Sequence, residues 1–309
     1  MAEFDDQRGD KRRVRQQIRA AFDRAAEDYD AAAVLQHQVG AHMDERLDLV
    51  LMQPERVLDI GTGTGRGAER LVHRYPRAEV VAADLAPAMV ARARRRLGGW
   101  WRGAKVPWRG RRHFTAADLE ALPFPAASFD LVFSNLTLQW CDPATAFAEV
   151  RRVLRPGGLF LFTTFGPDTL HELRSAWAAV DGEAHVNTFV DMHDLGDELV
   201  HAGLADPVMD MEYFTLTYPD ARGLMRDLKT IGAQTVTGGR REGLMGRRTL
   251  ASLEAAYEPF RTAEGVLPTT WEVVHGHAWA PETTPAQQRS EDGATTVSLD
   301  SLKGTVRRS

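Results

Sequence analysis

Apolar positions in this chain fall into short unbroken runs separated by stretches of helical periodicity, the alternation expected of a mostly parallel sheet covered by helices. The runs are residues 57–60, 78–83, 113–116, 129–134 and 159–165. Between them, Leu71 and Val72 mark the inner side of one helix, residues 87–97 form a second, and residues 144–154 a third that stops at Arg155-Pro156-Gly157-Gly158. After Gly166-Pro167 a helix carries Leu170, Leu173, Trp177 and Val180 inward, and residues 191–202 form another that ends at Gly203. A sixth strand holds Val208, Tyr213, Phe214 and Leu216, and a seventh spans 270–280. About fifty residues part these last two strands, more than a bare connection needs, so the segment is read as a helical cap. Two helices precede the first strand, one with Ile18, Phe22, Ala25 and Ala26, the other with Val34, Leu35, Val39, Met43, Leu47 and Val50. They cannot join the sheet, so they pack beside it or over its carboxyl edge as a lid. The predicted organisation is a flexible arm (1–15), the lid (16–53), a Rossmann-like core (54–165), the rest of the core with its cap (166–280), and a disordered tail (281–309) rich in Pro, Thr, Gln and Ser.

Composition narrows the classes without choosing among them. A chain of 309 residues, 43% hydrophobic, can bury a full α/β core and still carry a lid and a cap. The net charge of −5 leaves no general nucleic-acid footprint. One cysteine, Cys141, excludes an internal disulfide and a cysteine-based zinc site. No apolar run approaches the ~18 residues of a membrane span, and the acidic N-terminus lacks the apolar core of a signal peptide, so a cytoplasmic protein is expected. A local exception to the charge balance lies at 98–112, where Trp100, Trp101 and Trp108 mix with Arg102, Lys105, Arg109, Arg111 and Arg112. It reads either as a surface insertion or as a docking patch for an acidic partner. Lys11-Arg12-Arg13 offers the same choice between a solvated arm and an acidic partner.

Candidate chemistry starts at Asp59-Ile60-Gly61-Thr62-Gly63-Thr64-Gly65. Alternate glycines after a buried strand let the backbone turn sharply and approach a ligand at a helix N-terminus. A dinucleotide fingerprint would need a third glycine where Arg66 stands, and Asp59 would repel a pyrophosphate. Asp84, about twenty residues beyond the turn, closes the second apolar run where doubly wound folds hold a ribose diol. A structural turn and a surface carboxylate are the plainer alternatives.

The order Asp-x-Gly-x-Gly-x-Gly, with acids closing the second and third strands, resembles the class I S-adenosylmethionine (SAM)-dependent methyltransferases. The resemblance implies an α/β, Rossmann-like, seven-stranded sheet and SAM as cofactor. It places Asp59 near the methionine amino group and Gly61, Gly63 and Gly65 in the turn. Asp84 and Leu85 fall at the ribose, Met89, Asp118 and Leu119 at the adenine, and Asn135 in the loop where the reactive methyl points.

Further segments are more discriminating. Phe22-Asp23-Arg24-Ala25-Ala26-x-x-Tyr29-Asp30, Ser134-Asn135-Leu136-x-Leu138-Gln139-Trp140-Cys141, His185-x-Asn187-x-Phe189 and Leu228-Lys229-x-Ile231-Gly232-Ala233 resemble the BioC family of malonyl-acyl-carrier-protein O-methyltransferases. The likeness runs from about Arg15 to Ala280; the Trp/Arg insertion and the tail depart from it. It implies transfer of a methyl from SAM to the free carboxylate of a malonyl thioester on acyl carrier protein, with malonyl-CoA as a second possible carrier. The ester hides the charge, so that elongation enzymes accept the chain as the primer for biotin synthesis. A carboxylate is already a nucleophile at neutral pH, so neither a catalytic triad nor a metal is expected. Tyr29 is the expected lid aromatic, and Lys229 with Arg226, three residues apart on the cap, the expected carboxylate-binding cations. His185 is a weaker candidate, equally readable as a capping or core histidine. The segments 165–174 and 194–196 also resemble a respiratory complex I assembly factor, an arginine hydroxylase, which is the rival reading. A SAM-binding assembly module and a quinone or fatty-acid methyltransferase are the others.

Overall fold

A computed structural model of the chain describes residues 2–98, 111–181, 185–232 and 247–282, with side chains from residue 11 onward and from 248 in the last segment. Strands β1 (Arg56–Ile60), β2 (Glu79–Asp84), β3 (Arg112–Ala116), β4 (Phe129–Ser134), β5 (Leu154–Phe165), β6 (Ala205–Tyr218) and β7 (Leu267–Trp279) form one sheet in the order β3-β2-β1-β4-β5-β7-β6. The first five pair in parallel, while β7 runs antiparallel to both neighbours. The order reverses between β1 and β4, so a crevice opens beyond their carboxyl ends, where such sheets bind ligands. Interior strands are apolar on both faces because both are covered: β1 is buried from Val57 to Ile60. β6, at the edge, alternates half-buried and exposed positions along its length.

Helices α3 (Val34–Arg46), α4 (Arg66–Arg74) and α5 (Pro87–Gly98) cover one face through Met43, Ala68, Leu71 and Leu97, joined by Leu47 from the turn after α3. On the other face lie α6 (Pro143–Val153) and α8 (Met192–His201), which pack Phe147, Val150, Leu195 and Leu199 on Phe160 and Phe162. Over the carboxyl edge, α2 (Tyr29–Ala32) meets α7 (His171–Val180), α9 (Ala221–Thr230) and α10 (Arg247–Tyr257) in an apolar cluster with Trp177, Leu224, Leu228 and Tyr257 at its centre. Helices α9 and α10 lie between β6 and β7, the expected cap, and Gly232 at the end of α9 packs against Phe22 of the lid.

Two boundaries differ from the sequence expectation. Helix α1 (Ala2–Ala25) starts well before Gln16, so the charged arm is helical, and Arg15 points inward from it. β5 starts at Leu154 rather than 159, with a register irregularity opposite Phe129/Leu131 that accommodates Arg155-Pro156-Gly157-Gly158 inside the strand. The core of the Trp/Arg insertion (99–110), residues 182–184, residues 233–246 within the cap and the tail from 283 lie outside the described residues.

Candidate functional site

The β1–α4 turn shows why its glycines stand where they do. Gly61, Gly63 and Gly65 all have positive φ, the region open to glycine. A Cβ on Gly61 would lie 1.9 Å from Thr137 Oγ1, and one on Gly65 2.8 Å from Ala93 Cα. Gly61 therefore seats the turn against the post-β4 loop, and Gly65 lets α4 approach α5.

A cleft of ≈ 600 Å³, mouth included, runs along the carboxyl edge beside this turn. Gly61, Gly63, Asp84, Leu85 and Met89 line one part; Ala117, Asp118 and Leu119 follow; Asn135, Leu136, Thr137 and Trp140 line another; Arg15, Ile18, Phe22 and Tyr29 close it from the lid. Asp84 is 8% exposed. Its Oδ2 accepts the Gly63 N–H and its Oδ1 the Ala86 N–H, each at 2.9 Å, which fixes the carboxylate rigidly while each oxygen keeps a free lone pair. Burial pushes its pKa up to about 6 against these two stabilising bonds.

Asp59 is placed differently from the expectation. Only 2% exposed, it is absent from the cleft walls. Its carboxylate takes the Thr62 hydroxyl at 2.5 Å and the Ala68 backbone at the start of α4, with Gly67 leaving room for it. Burial drives its pKa up to about 7. It caps the helix that follows the turn rather than facing the cleft.

The lid is bolted down at two charged points that sequence reasoning did not assign. Arg15, 16% exposed, pairs with Asp118 Oδ1 at 2.5 Å and Glu120 at 2.9 Å, and donates to the Trp140 carbonyl at 2.9 Å. It thus ties α1 to both the post-β3 and post-β4 loops, beside a Cys141 thiol whose pKa burial pushes up to about 12. Asp30 accepts the Thr64 hydroxyl at 2.6 Å and pairs with Arg96, with Arg66 and His37 at 3.5 Å. Burial alone would raise the Asp30 pKa, but Thr64, Arg96, Arg66 and His37 outweigh it and hold it below the usual range. Between these bolts, Tyr29 is held over the cleft; burial first, then Asp84 and Asp30, keep its phenol protonated far above neutral pH.

The expected substrate cations sit elsewhere. Arg226 and Lys229 are exposed on α9 and do not line the cleft, while Leu224, Leu228 and Ile231 on the same segment are buried and Met225 is half-buried. His185 stacks on Trp177 at 3.7 Å between ring centres and pairs with Asp181 at 2.9 Å. Among the described walls, Arg15 is the one cation.

Comparison with known proteins adds identity to this geometry. A family model described as a methyltransferase domain matches residues 58–162. The chain is 51% identical over 282 residues to the malonyl-[acyl-carrier protein] O-methyltransferase of Gallionella capsiferriformans (strain ES-2), spanning 91% of this chain and 94% of that protein. It is 50% identical over 277 residues to the enzyme of the same name from Halorhodospira halophila, spanning 89% and 90%. Among solved structures, the YcgJ protein of Bacillus subtilis superposes with a TM-score of 0.55 at 18% identity, over 80% of this chain and all of that one, which is a likeness of fold.

Proposed function

The chain belongs to the malonyl-[acyl-carrier protein] O-methyltransferase family, and on that premise we propose how its cleft carries out methyl transfer to the free carboxylate of malonyl-acyl-carrier protein, the ester that primes biotin synthesis. The residues present fit SAM as the donor. Gly61 and Gly63 put turn backbone into the cleft wall; a Cβ on Gly63 would face the Tyr29 ring at 4.0 Å, and Gly61 has no room for one beside Thr137. Asp84, its carboxylate fixed by Gly63 and Ala86, would accept a pair of ribose hydroxyls. Leu119, Met89 and Leu85 are apolar walls suited to a flat ring, and Asp118 lines the same cleft while paired with Arg15. Asn135 and Tyr29 then border the methyl end. Gly65 and Asp59 shape the turn without lining the cleft. The carrying observation is that the acids closing β2 and β3, the glycine turn and the lid aromatic converge on one cleft.

When bound, SAM supplies a methyl on sulfonium: as the new O–C bond forms, the C–S bond breaks with its electrons left on sulfur, so the two opposite charges cancel and no proton moves. The protein therefore has no acid or base to provide. Its task is alignment, an effect that can supply ~7–11 kcal/mol in favourable cases. Tyr29, kept neutral, and Phe22, edge-on to Trp140 at 5.5 Å, exclude water from that end. With Arg226 and Lys229 on the outside, the positive sulfonium of the donor itself offers the acceptor carboxylate a counter-charge, and no described cap cation lines the cleft.

Mass spectrometry of malonyl-acyl-carrier protein incubated with the enzyme and SAM tests the reading. A mass gain of one methyl ester is expected. Carrier protein left unmethylated by the wild type overturns it.

A further inference from the structure

The post-β4 turn contains a hydrogen-bond chain that fixes more than the position of Asn135. Thr163, fully buried on β5, accepts the Leu136 N–H at 2.9 Å through its hydroxyl oxygen. Its own hydroxyl hydrogen is thereby free to donate to Asn135 Oδ1, also at 2.9 Å, with Met43 Sδ at 3.5 Å as the weaker partner. Asn135 Nδ2 donates to the main-chain carbonyl of Gln36, on α3 of the lid, at 2.9 Å.

The Gln36 carbonyl can only accept, so the amide must turn its nitrogen toward the lid and its oxygen toward Thr163. The reverse flip would set two acceptors face to face. Gly40 makes the approach possible, since a Cβ there would stand 3.1 Å from Asn135 Nδ2. The turn is held firmly enough to keep Leu136 at φ 48°, an unusual conformation for leucine. The Leu136 N–H to Thr163 and the Gln139 side chain donating to the Leu136 carbonyl at 2.7 Å bracket it.

Asn135 is also a wall of the cleft. Its carbonyl is occupied by Thr163 and one amide hydrogen by Gln36; the second amide hydrogen is what remains to be offered to a ligand. A group that must donate suits an acceptor atom with lone pairs and no hydrogens. We propose that Asn135 is the specificity-determining residue of the acceptor subsite, presenting an N–H to a carboxylate oxygen and disfavouring an amine, and that Thr163 is its positioning residue. The proposal rests on the malonyl-carrier reading and adds the group that recognises the carboxylate. It assigns Asn135 to the acceptor rather than to the cofactor. It also explains how an anion is selected in a cleft whose one described cation is already paired.

The decisive variant is Asn135→Asp, equal in size but lacking the donor when ionised. Beside the Gln36 carbonyl its acid form is favoured at low pH; its single O–H then goes to that carbonyl and the like-charge repulsion of the acceptor is removed, while the malonyl carboxylate stays charged at pH 5.5 because unperturbed carboxylates titrate near ~4. At pH 8, kcat/KM for malonyl-carrier protein is expected to fall about 100-fold, a lost bond to a charged group plus like-charge repulsion, with SAM affinity within about threefold of wild type. That deficit should shrink at least about tenfold at pH 5.5, whereas the deficit of Asn135→Ala should not depend on pH. Calorimetric affinity for malonyl-carrier protein, with S-adenosylhomocysteine present, should fall in parallel at pH 8. Thr163→Val should lose about tenfold in kcat/KM, and Thr163→Ser, which keeps the hydroxyl, should recover most of it. A pH-independent defect in Asn135→Asp, or lost SAM affinity with acceptor kinetics intact, overturns the proposal while the family reading stands. A wild type that never methylates malonyl-carrier protein overturns both.

Discussion

Arg15→Met isolates one of the two lid bolts, because methionine keeps much of the aliphatic stem and removes only the guanidinium. Three contacts disappear: Asp118 at 2.5 Å, Glu120 at 2.9 Å and the Trp140 carbonyl at 2.9 Å. Arg15 is 16% exposed, and the two acids 27% and 20%, so solvent screens the pairs only partly. Exposed pairs contribute ~0.2–1 kcal/mol and breaking a buried one costs ~3–5; a site between these limits should lose about 2–3 kcal/mol. Part of that loss is the penalty on the abandoned acids, so a double-mutant cycle with Asp118→Asn in urea unfolding is the proper measure, with an expected coupling of about 1–2 kcal/mol. The loss should be local. Ile18 and Ala25 remain buried in the second half of α1, so hydrogen exchange should quicken around residues 11–17 and much less beyond them. Affinity for SAM should fall about tenfold, since Asp118 loses the partner that orients it. A coupling below about 0.3 kcal/mol with unchanged exchange in α1 would refute the bolt.

Further outcomes are expected at three other residues. Asp84→Ala should weaken SAM binding at least about tenfold by calorimetry, because a desolvated diol loses charge-assisted acceptors. In the wild type, the Asp84 pKa is raised from 3.8 to about 6, so protons compete with the ligand and affinity should decline as pH drops below about 6. The same shift means that this group favours folding at low pH and that its contribution is lost as pH rises through about 6. Tyr29→Ala should lower kcat by more than it weakens SAM binding, since the ring closes the methyl end rather than anchoring the donor. Asp30→Asn should leave Arg96, Arg66 and His37 without their shared anion; hydrogen exchange over residues 26–40 should rise, and SAM should no longer suppress it fully.

What the sequence revealed and what it hid follow a physical line. Interior strands were legible because a strand buried on both faces must be continuously apolar, and Asp84 and Asp118 stood out as acids ending such runs. The cap was legible from the length between the last two strands. Arg15 was hidden because its partners lie more than a hundred residues away. A local signal was weak: Arg15 shares a helical face with Ile18 and Phe22, but also with Arg12 and Arg19, so nothing marked it as the inward cation. Arg226 and Lys229 show the converse. Their spacing of three puts them on one helical face, yet such a face can turn to solvent or to a ligand, and only the packed helix shows that it turns outward. Asp59 was read by its place in a motif, but the side chain of a strand-end residue can serve its own helix, and here Thr62 and Ala68 claim it. His185 was flagged by resemblance alone, and its ring stacks on Trp177.

The rival resemblance also has a structural explanation, and it bears on where specificity can reside. The segment from Gly166 to Arg174 is a brace between α7 and β7. Glu272, buried on β7, accepts the Asp168 N–H at 2.7 Å, and Thr169 donates its hydroxyl to the Glu272 carbonyl at 3.0 Å. Glu172, 3% exposed, accepts the Thr270 N–H and hydroxyl at 3.0 and 2.6 Å. Arg174 holds the Pro167 and Thr169 carbonyls, and the Tyr213 hydroxyl reaches Asp168 from the edge strand at 2.9 Å. Gly166 must be small, because a Cβ there would lie 2.3 Å from the Glu272 carboxyl carbon. Carboxylates this deeply buried are held in place by their donors, and removing either would strand those donors. Such a brace serves any chain that docks a helix across this sheet, whatever reaction its cleft carries out. Likeness over 165–174 therefore falls on a segment that braces the fold and lines no part of the described cleft. The choice between an ester-forming enzyme and a hydroxylase has to lie with groups that line the cleft, and the lid aromatic Tyr29 and the hydrogen-bonded Asn135 are among its described walls.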